Sequence, residues 1–222
     1  MKALFRPRKP PKNTLRRVLK KFLHCVEYYD YSKHDIAYWY GERALTGLLA
    51  SAAWMVRGGW SLEEFTGQRQ KGRRKNASGK GDLWLGFGNR GYTVEAKVTW
   101  PTQLKDVMKW RKTVSDKLAK AARQLNALDE DYQYGSPVAV CYVVPAIPLG
   151  SRGFTNKAIS KAMRDFAKLM TKKNAHTEVV ACWLNNIQKA PRDPSSNRKQ
   201  IYVYPGVAVV LRYREIWKFS KG

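Results

Sequence analysis

The segment YTVEAKVTW (92–100) sets a carboxylate and an ammonium two residues apart, at Glu95 and Lys97. A strand alternates its side chains, so Tyr92, Val94, Ala96 and Val98 take one face and Thr93, Glu95, Lys97 and Thr99 the other. The first face is core, and the second presents the acid and the base side by side. Just upstream, DLWLGF (82–87) reads as a neighbouring strand opening on Asp82, with Leu83, Leu85 and Phe87 pointing one way and Asp82 and Trp84 the other. A Gly-Asn-Arg-Gly turn joins the two strands. As a hairpin they bring Asp82 and Glu95 together at one end of a sheet, where the register allows it. Two carboxylates converging with a backbone carbonyl make an oxygen-rich site suited to Mg²⁺. Such an ion polarises a scissile phosphate and lowers the pKa of a bound water. A nearby lysine orients that water or neutralises the charge that develops. Phosphodiester hydrolysis needs these parts and little more.

At these residues the sequence resembles the PD-(D/E)xK nuclease superfamily, the restriction-endonuclease-like fold. The shared pattern is an acid, a variable gap, then acid-x-Lys on the next strand, here Gly81-Asp82 followed by Glu95-Ala96-Lys97. Gly81 stands where the motif's name has proline. The family often carries a further acid on the helix before the sheet, and Glu42 in YWYGERA fits that place. The resemblance covers about residues 34–145. It implies that Asp82 and Glu95 ligate the metal, Mg²⁺ with Mn²⁺ as a substitute, that Lys97 serves catalysis, and that Glu42 assists at the metal or a water. Gln124, on the helix after the motif strand, is a weaker candidate by the same likeness.

Each residue also has a plainer reading. Glu95 and Lys97 could be a solvated ion pair worth about 0–1 kcal/mol. Asp82 could be a turn residue after Gly81, and Glu42 a partly exposed acid paired with Arg43. The chemical reading is favoured because the features occur together and in order, within apolar segments of a chain holding only 17 acidic residues.

The elements that must position these groups follow from pattern. Residues 1–13 form a basic, proline-broken arm, expected to be mobile. Asn13 can cap a helix over Thr14–Val26 with Leu15, Val18, Leu19, Phe22 and Val26 on one stripe. Ser32-Lys-His-Asp35 resembles a capping box for an apolar core helix running to about Val56, which Gly58-Gly59 ends. A short strand follows around Trp60–Phe65, then a Gly- and Lys/Arg-rich loop over 68–81. After the motif hairpin a long helix is expected over Gln103–Leu128, a buried strand at 137–147, a basic amphipathic helix at Thr155–Met170 and a strand at 177–185. A loop at 189–199 leads to a terminal pair of strands around Pro205-Gly206. Such alternation predicts an α/β fold with helices covering a mixed central sheet. Its order agrees with the restriction-endonuclease-like core of helix–three strands–helix–strand, with a basic N-terminal arm and helix and extra C-terminal strands. The expected organisation is residues 1–30 as arm and amphipathic helix and 31–222 as one α/β domain.

The chain has 222 residues and is 44% hydrophobic, enough for a real core. Its 42 Lys+Arg against 17 Asp+Glu give a formal charge of +25, which implies a polyanionic partner. Nucleic acid is the commonest such partner, DNA first and RNA second. Cys25, Cys141 and Cys182 are odd in number and far apart, and read as buried free thiols of a reducing compartment. The histidines share no metal spacing with them, which argues against zinc. Neither a signal peptide nor an apolar run long enough to span a bilayer is visible, so the expectation is a cytoplasmic protein without membrane attachment.

For holding the substrate, Arg69, Lys71, Arg73, Arg74, Lys75 and Lys80 precede Asp82 directly and would reach phosphates flanking the site. Lys105, Lys109, Lys112, Lys117, Lys120 and Arg123 could line a face of the long helix, and Arg6, Arg8, Lys9 and Lys12 could track a groove. No base-reading motif is present. Gly86-Phe-Gly88-Asn-Arg-Gly91 matches GxGxxG literally, but a strand follows where a dinucleotide site needs a helix. SGKG (78–81) lacks the first glycine and the Ser/Thr of a P-loop. Two other readings stay open: a non-catalytic nucleic-acid-binding protein, and an RNA-directed nuclease of the same fold. Many enzymes of this fold dimerise to cut both strands, so a homodimer is also allowed, although no interface is evident.

Overall fold

Runs of Val, Leu, Ala and Cys in period-two alternation build a sheet, and four amphipathic helices supply its covers. The computed structural model describes the backbone of residues 2–5, 13–33, 35–71, 74–103, 105–128, 135–148, 155–171, 178–185 and 201–213, and the side chains of all of these except 2–5, 13, 31–33, 66–71, 74–79 and 178. In chain order the described elements are β1 (Lys2–Phe5), α1 (Asn13–Lys33), a 3-10 turn (Ala37–Tyr40), α2 (Glu42–Trp54), β2 (Gly59–Lys71), β3 (Arg74–Phe87), β4 (Arg90–Thr99), α3 (Val107–Asn126), β5 (Ser136–Val143), β6 (Ile147–Pro148), α4 (Asn156–Met170), β7 (Glu178–Leu184), β8 (Tyr202–Val203) and β9 (Gly206–Tyr213).

The fold is α/β around a mixed seven-stranded sheet of order β1-β7-β9-β5-β4-β3-β2. Only β4 and β5 pair in parallel, across the α3 crossover, and every other described ladder of this sheet is antiparallel. Alternation sorts the side chains to two cores. Tyr92, Val94, Ala96 and Val98 of β4 join Leu83 and Leu85 of β3 beneath α1 and α2. Cys141 and Val143 of β5, with Val210 of β9, pack beneath α3 and α4. The stripe Leu15, Val18, Leu19, Phe22 and Val26 is buried as expected, and α1 packs on α2 and β7. Among the described residues no helix is long and apolar enough to cross a membrane.

Several expectations are corrected. The predicted loop over 68–81 is instead the far half of a long hairpin, in which β2 pairs with β3 from Gly59↔Phe87 out to Lys71↔Arg74. Backbone hydrogen bonds, not apolar alternation, define these strands, so a segment of Gly, Lys and Arg carries no periodic signal in the sequence. Part of the N-terminal arm is an edge strand, β1, paired antiparallel with β7. The helix start expected at 32–35 is not observed. Helix α1 runs through it to Lys33, and the apolar segment divides at Gly41, whose φ of +86° breaks the helix before α2 begins. Asp35 accepts instead from the Ile36 amide and the Tyr40 hydroxyl. Helix α3 starts at Val107, capped by the Asp106 side chain, not at residue 103. The two C-terminal strands do not pair with each other, since β8 lies on β6 while β9 sits between β5 and β7. Arg6, Arg8, Lys9, Lys12, Arg73 and the predicted loop at 189–199 lie outside the described residues.

Candidate active site

Strands β3 and β4 pair only as far as Leu83↔Val94. Beyond that point β3 continues with β2, while β4 continues with β5 to Thr99↔Val143. The parting leaves one edge of β4 without a strand to accept its amides, and buried amides need acceptors. Carboxylates occupy that edge. Asp82 Oδ2 accepts from the Ala96 amide at 2.7 Å, and the Glu42 carboxylate lies near the Val98 amide. Glu42 comes from the first turn of α2, whose N-terminal end favours a negative charge.

Lys97 lies at the focus of this edge. Its Nζ stands 3.3 Å from Glu95 Oε1, 3.7 Å from Glu42 Oε1 and 3.8 Å from Asp82 Oδ2. It also donates to the Ala96 carbonyl. The Lys97 side chain is 11% exposed and that of Glu95 only 2%, whereas Asp82 at 31% and Glu42 at 36% face the solvent side. Three carboxylates around one ammonium leave the cluster formally negative. Burial raises the Glu42 pKa above its usual value, and nearby Asp82 pushes the same way. The ammoniums of Lys97 and, from α3, Lys117 oppose the rise, as does the Val98 amide.

Asp82, Glu95, Lys97 and Glu42 are thus brought together from β3, β4 and α2. The predicted phosphate contacts are more scattered. Lys80 pairs with Glu64 at 3.5 Å. Lys105 and Lys109 are exposed ahead of and within the first turn of α3, and Lys109 lines a cavity of about 230 Å³ with Thr99, Trp100 and Trp110. Arg69, Lys71, Arg74 and Lys75 lie on the β2–β3 hairpin, with side chains outside the described ones. Gln124 buries its Oε1 without a hydrogen-bond partner among the described residues, and no contact ties it to the cluster. Glu64 went unnoticed in the sequence. The flanking pairs Glu63↔Leu83 and Phe65↔Gly81 set it across from Asp82, and its φ of +47° turns it toward Arg43 at 2.9 Å. No sequence signal marks it, because only the length of the hairpin reveals the register.

Among the described residues no three His, Cys, Asp or Glu side chains form a ready metal cage. What converges on the acids is the Lys97 ammonium. The donors are nonetheless of the right kind for a hard divalent cation: carboxylate oxygens on a formally negative cluster, with the Ala96 carbonyl beside them. Asp82 and Glu95 are the residues that could hold one. No protein-family model, curated protein or solved structure matches the chain.

Proposed function

We propose that the chain is a Mg²⁺-dependent endonuclease of restriction-endonuclease-like fold that hydrolyses phosphodiester bonds in DNA. The observation that carries this reading is the convergence of Lys97 Nζ on Glu95, Glu42 and Asp82 where β3 and β4 part. Acids and a lysine spaced as they are in the sequence are common, but their meeting at one strand edge is not required by packing. Asp82 and Glu95 are assigned to Mg²⁺, with Mn²⁺ as a substitute. When bound, the ion supplies Lewis acidity to the scissile phosphate and acidifies water. Lys97, held by the Ala96 carbonyl, is assigned to orienting the attacking water and neutralising the charge that grows on the phosphate oxygens. Glu42, half-buried and with a pKa that burial raises above the usual carboxylate value, is suited to taking up a proton. The formal charge of +25 holds the polyanion against this edge.

One observation favours a second reading, a non-catalytic nucleic-acid binder. Asp82 satisfies a backbone amide, a structural duty in itself. Cleavage of supercoiled plasmid with Mg²⁺ or Mn²⁺ separates the two, comparing wild type with Glu95→Ala and Lys97→Ala. The nuclease reading expects cutting by wild type alone, with DNA binding kept in both variants. Binding without cutting of DNA or RNA with either metal would overturn it. Cutting of RNA alone would make the chain an RNA-directed member of the same class.

A further inference from the structure

Trp60 of β2 and Trp84 of β3 pack ring against ring, with centroids 4.0 Å apart and planes inclined by 42°. The register explains the pair. Trp60 lies opposite Gly86, and Leu62 opposite Trp84, so Trp60, Leu62, Trp84 and Gly86 share one face of the hairpin. Gly86 is needed there, since a Cβ at that position would collide with both indoles. The opposite face belongs to α2, where the Ser61 hydroxyl donates to the Ala50 carbonyl and Gly47 lies near the Glu63 carboxylate. Among the described residues no helix packs closely on the tryptophan face of β2 and β3, because α3 lies over β4 and β5 instead. Trp60 is accordingly 43% exposed and Leu62 54%.

This aromatic face is continuous with the acid cluster. Trp84 is two residues along β3 from Asp82 and on the same face, a step of about 7 Å in an extended strand. Trp84 is also paired with Thr93 of β4, two residues before Glu95 on that strand's same face. The exposed Trp60 indole, on the face that leads through Trp84 to a site for phosphates, suits a flat, neutral π-system carried on a charged backbone, which describes a nucleotide. A second copy of the chain fits less well, because a formal charge of +25 repels its like. A base inside a duplex has both faces covered by its neighbours, so only an unstacked base can lie on such a shelf.

Resting on the nuclease reading above, we propose that the Trp60–Trp84 pair is a stacking shelf for an unpaired base of the strand whose backbone lies at the Lys97 cluster. The preferred substrate class is then DNA with a single-stranded tail, flap or bulge next to the cut, in place of uninterrupted duplex.

The test is a binding titration by fluorescence anisotropy in EDTA, where no metal-dependent cutting competes. Labelled duplexes of equal length, one blunt and one with a single-stranded tail, are titrated with wild type, Trp60→Ala and Trp60→Phe. Wild type is expected to prefer the tailed DNA by about tenfold, the scale of one base stacked on an aromatic ring. In Trp60→Ala the ratio of the two affinities falls toward one, while Trp60→Phe, which keeps a ring, retains most of it. Thermal melting checks that the variants are folded. A wild type with no preference, or a Trp60→Ala variant that keeps it, overturns the shelf while leaving the nuclease reading intact. A wild type that binds neither DNA overturns both. Sedimentation at several concentrations completes the test: a dimer that Trp60→Ala dissociates would show that a second copy covers this face, which also overturns the shelf.

Discussion

Asp82 Oδ2 and the Ala96 amide, 2.7 Å apart, stand in for the rung that the β3–β4 ladder lacks after Leu83↔Val94. The carboxylate therefore has two separable duties, an acceptor for the strand edge and a charge for the site. Asp82→Ala removes both and strands a partly buried amide, which costs about 1–3 kcal/mol of stability. Asp82→Asn keeps an acceptor oxygen of the same reach and should unfold within about 1 kcal/mol of wild type. Both variants should lose plasmid cleavage. Thermal melts beside cleavage assays check this, and an Asp82→Asn variant that still cuts would remove Asp82 from the chemistry.

Lys97 holds together three carboxylates, one of them from the nearly buried Glu95. Without metal, Lys97→Ala should destabilise by about 3–5 kcal/mol, the cost of removing one partner of a buried ion pair. The same change removes the cation that competes for the acids. Millimolar Mg²⁺ should therefore raise the melting temperature of Lys97→Ala more than that of wild type. Cleavage should nonetheless fall by about 10²–10³-fold, the cost of losing one charge-stabilising donor. A melting temperature indifferent to Mg²⁺ in both proteins would count against a cation at Asp82 and Glu95.

Burial, the largest cause, raises the Glu42 pKa above the usual carboxylate value of 4.5. A carboxyl raised on folding contributes stability when protonated. That contribution is complete below the unfolded value and is lost as pH rises through the folded one. Glu42→Gln stays neutral throughout, so its melting temperature relative to wild type should rise with pH across this window and then level off. If ionised Glu42 assists the reaction, wild-type cleavage should lose its acid limb at a pH above 4.5. Melts and rates from pH 4 to 8 test both, and a difference between the two proteins that shrinks with rising pH would reverse the sign.

The cluster was legible because strand alternation and a two-residue spacing are local. Glu95 and Lys97 must share a face, and Leu83 and Leu85 reach the core as their period demands. Glu42 was singled out only by a resemblance, because nothing local brings the start of α2 to the edge of β4. The far half of the β2–β3 hairpin was hidden for a physical reason. Gly, Lys, Arg and Asn over 67–81 have low strand propensity and no apolar alternation, so only the cross-strand pairing reveals the strands. With that hairpin unseen, the Trp60–Trp84 contact and the Glu64 position opposite Asp82 were out of reach. The broken helix at Gly41 was missed in the same way: IAYWYGERALTGLLASAAWMV reads as one apolar run, and a single φ of +86° divides it.

Lys105 and Lys109 project from the start of α3, past the end of β4 that carries Lys97 and beside the cavity lined by Thr99, Trp100 and Trp110. A strand lying across the Lys97 cluster and continuing along β4 would bring its next phosphates to these two ammoniums. Both are exposed, so replacing them by alanine should move stability by no more than about 0.5 kcal/mol. Each phosphate contact adds about 0.9 to the slope of log affinity against log salt. The Lys105→Ala/Lys109→Ala protein should therefore bind DNA more weakly at every sequence, with that slope reduced by about two. Titrations between 50 and 200 mM salt measure it, a range over which phosphate contacts are well resolved. If the slope is unchanged, the bound strand leaves the cluster by another route, and the start of α3 is no part of the interface.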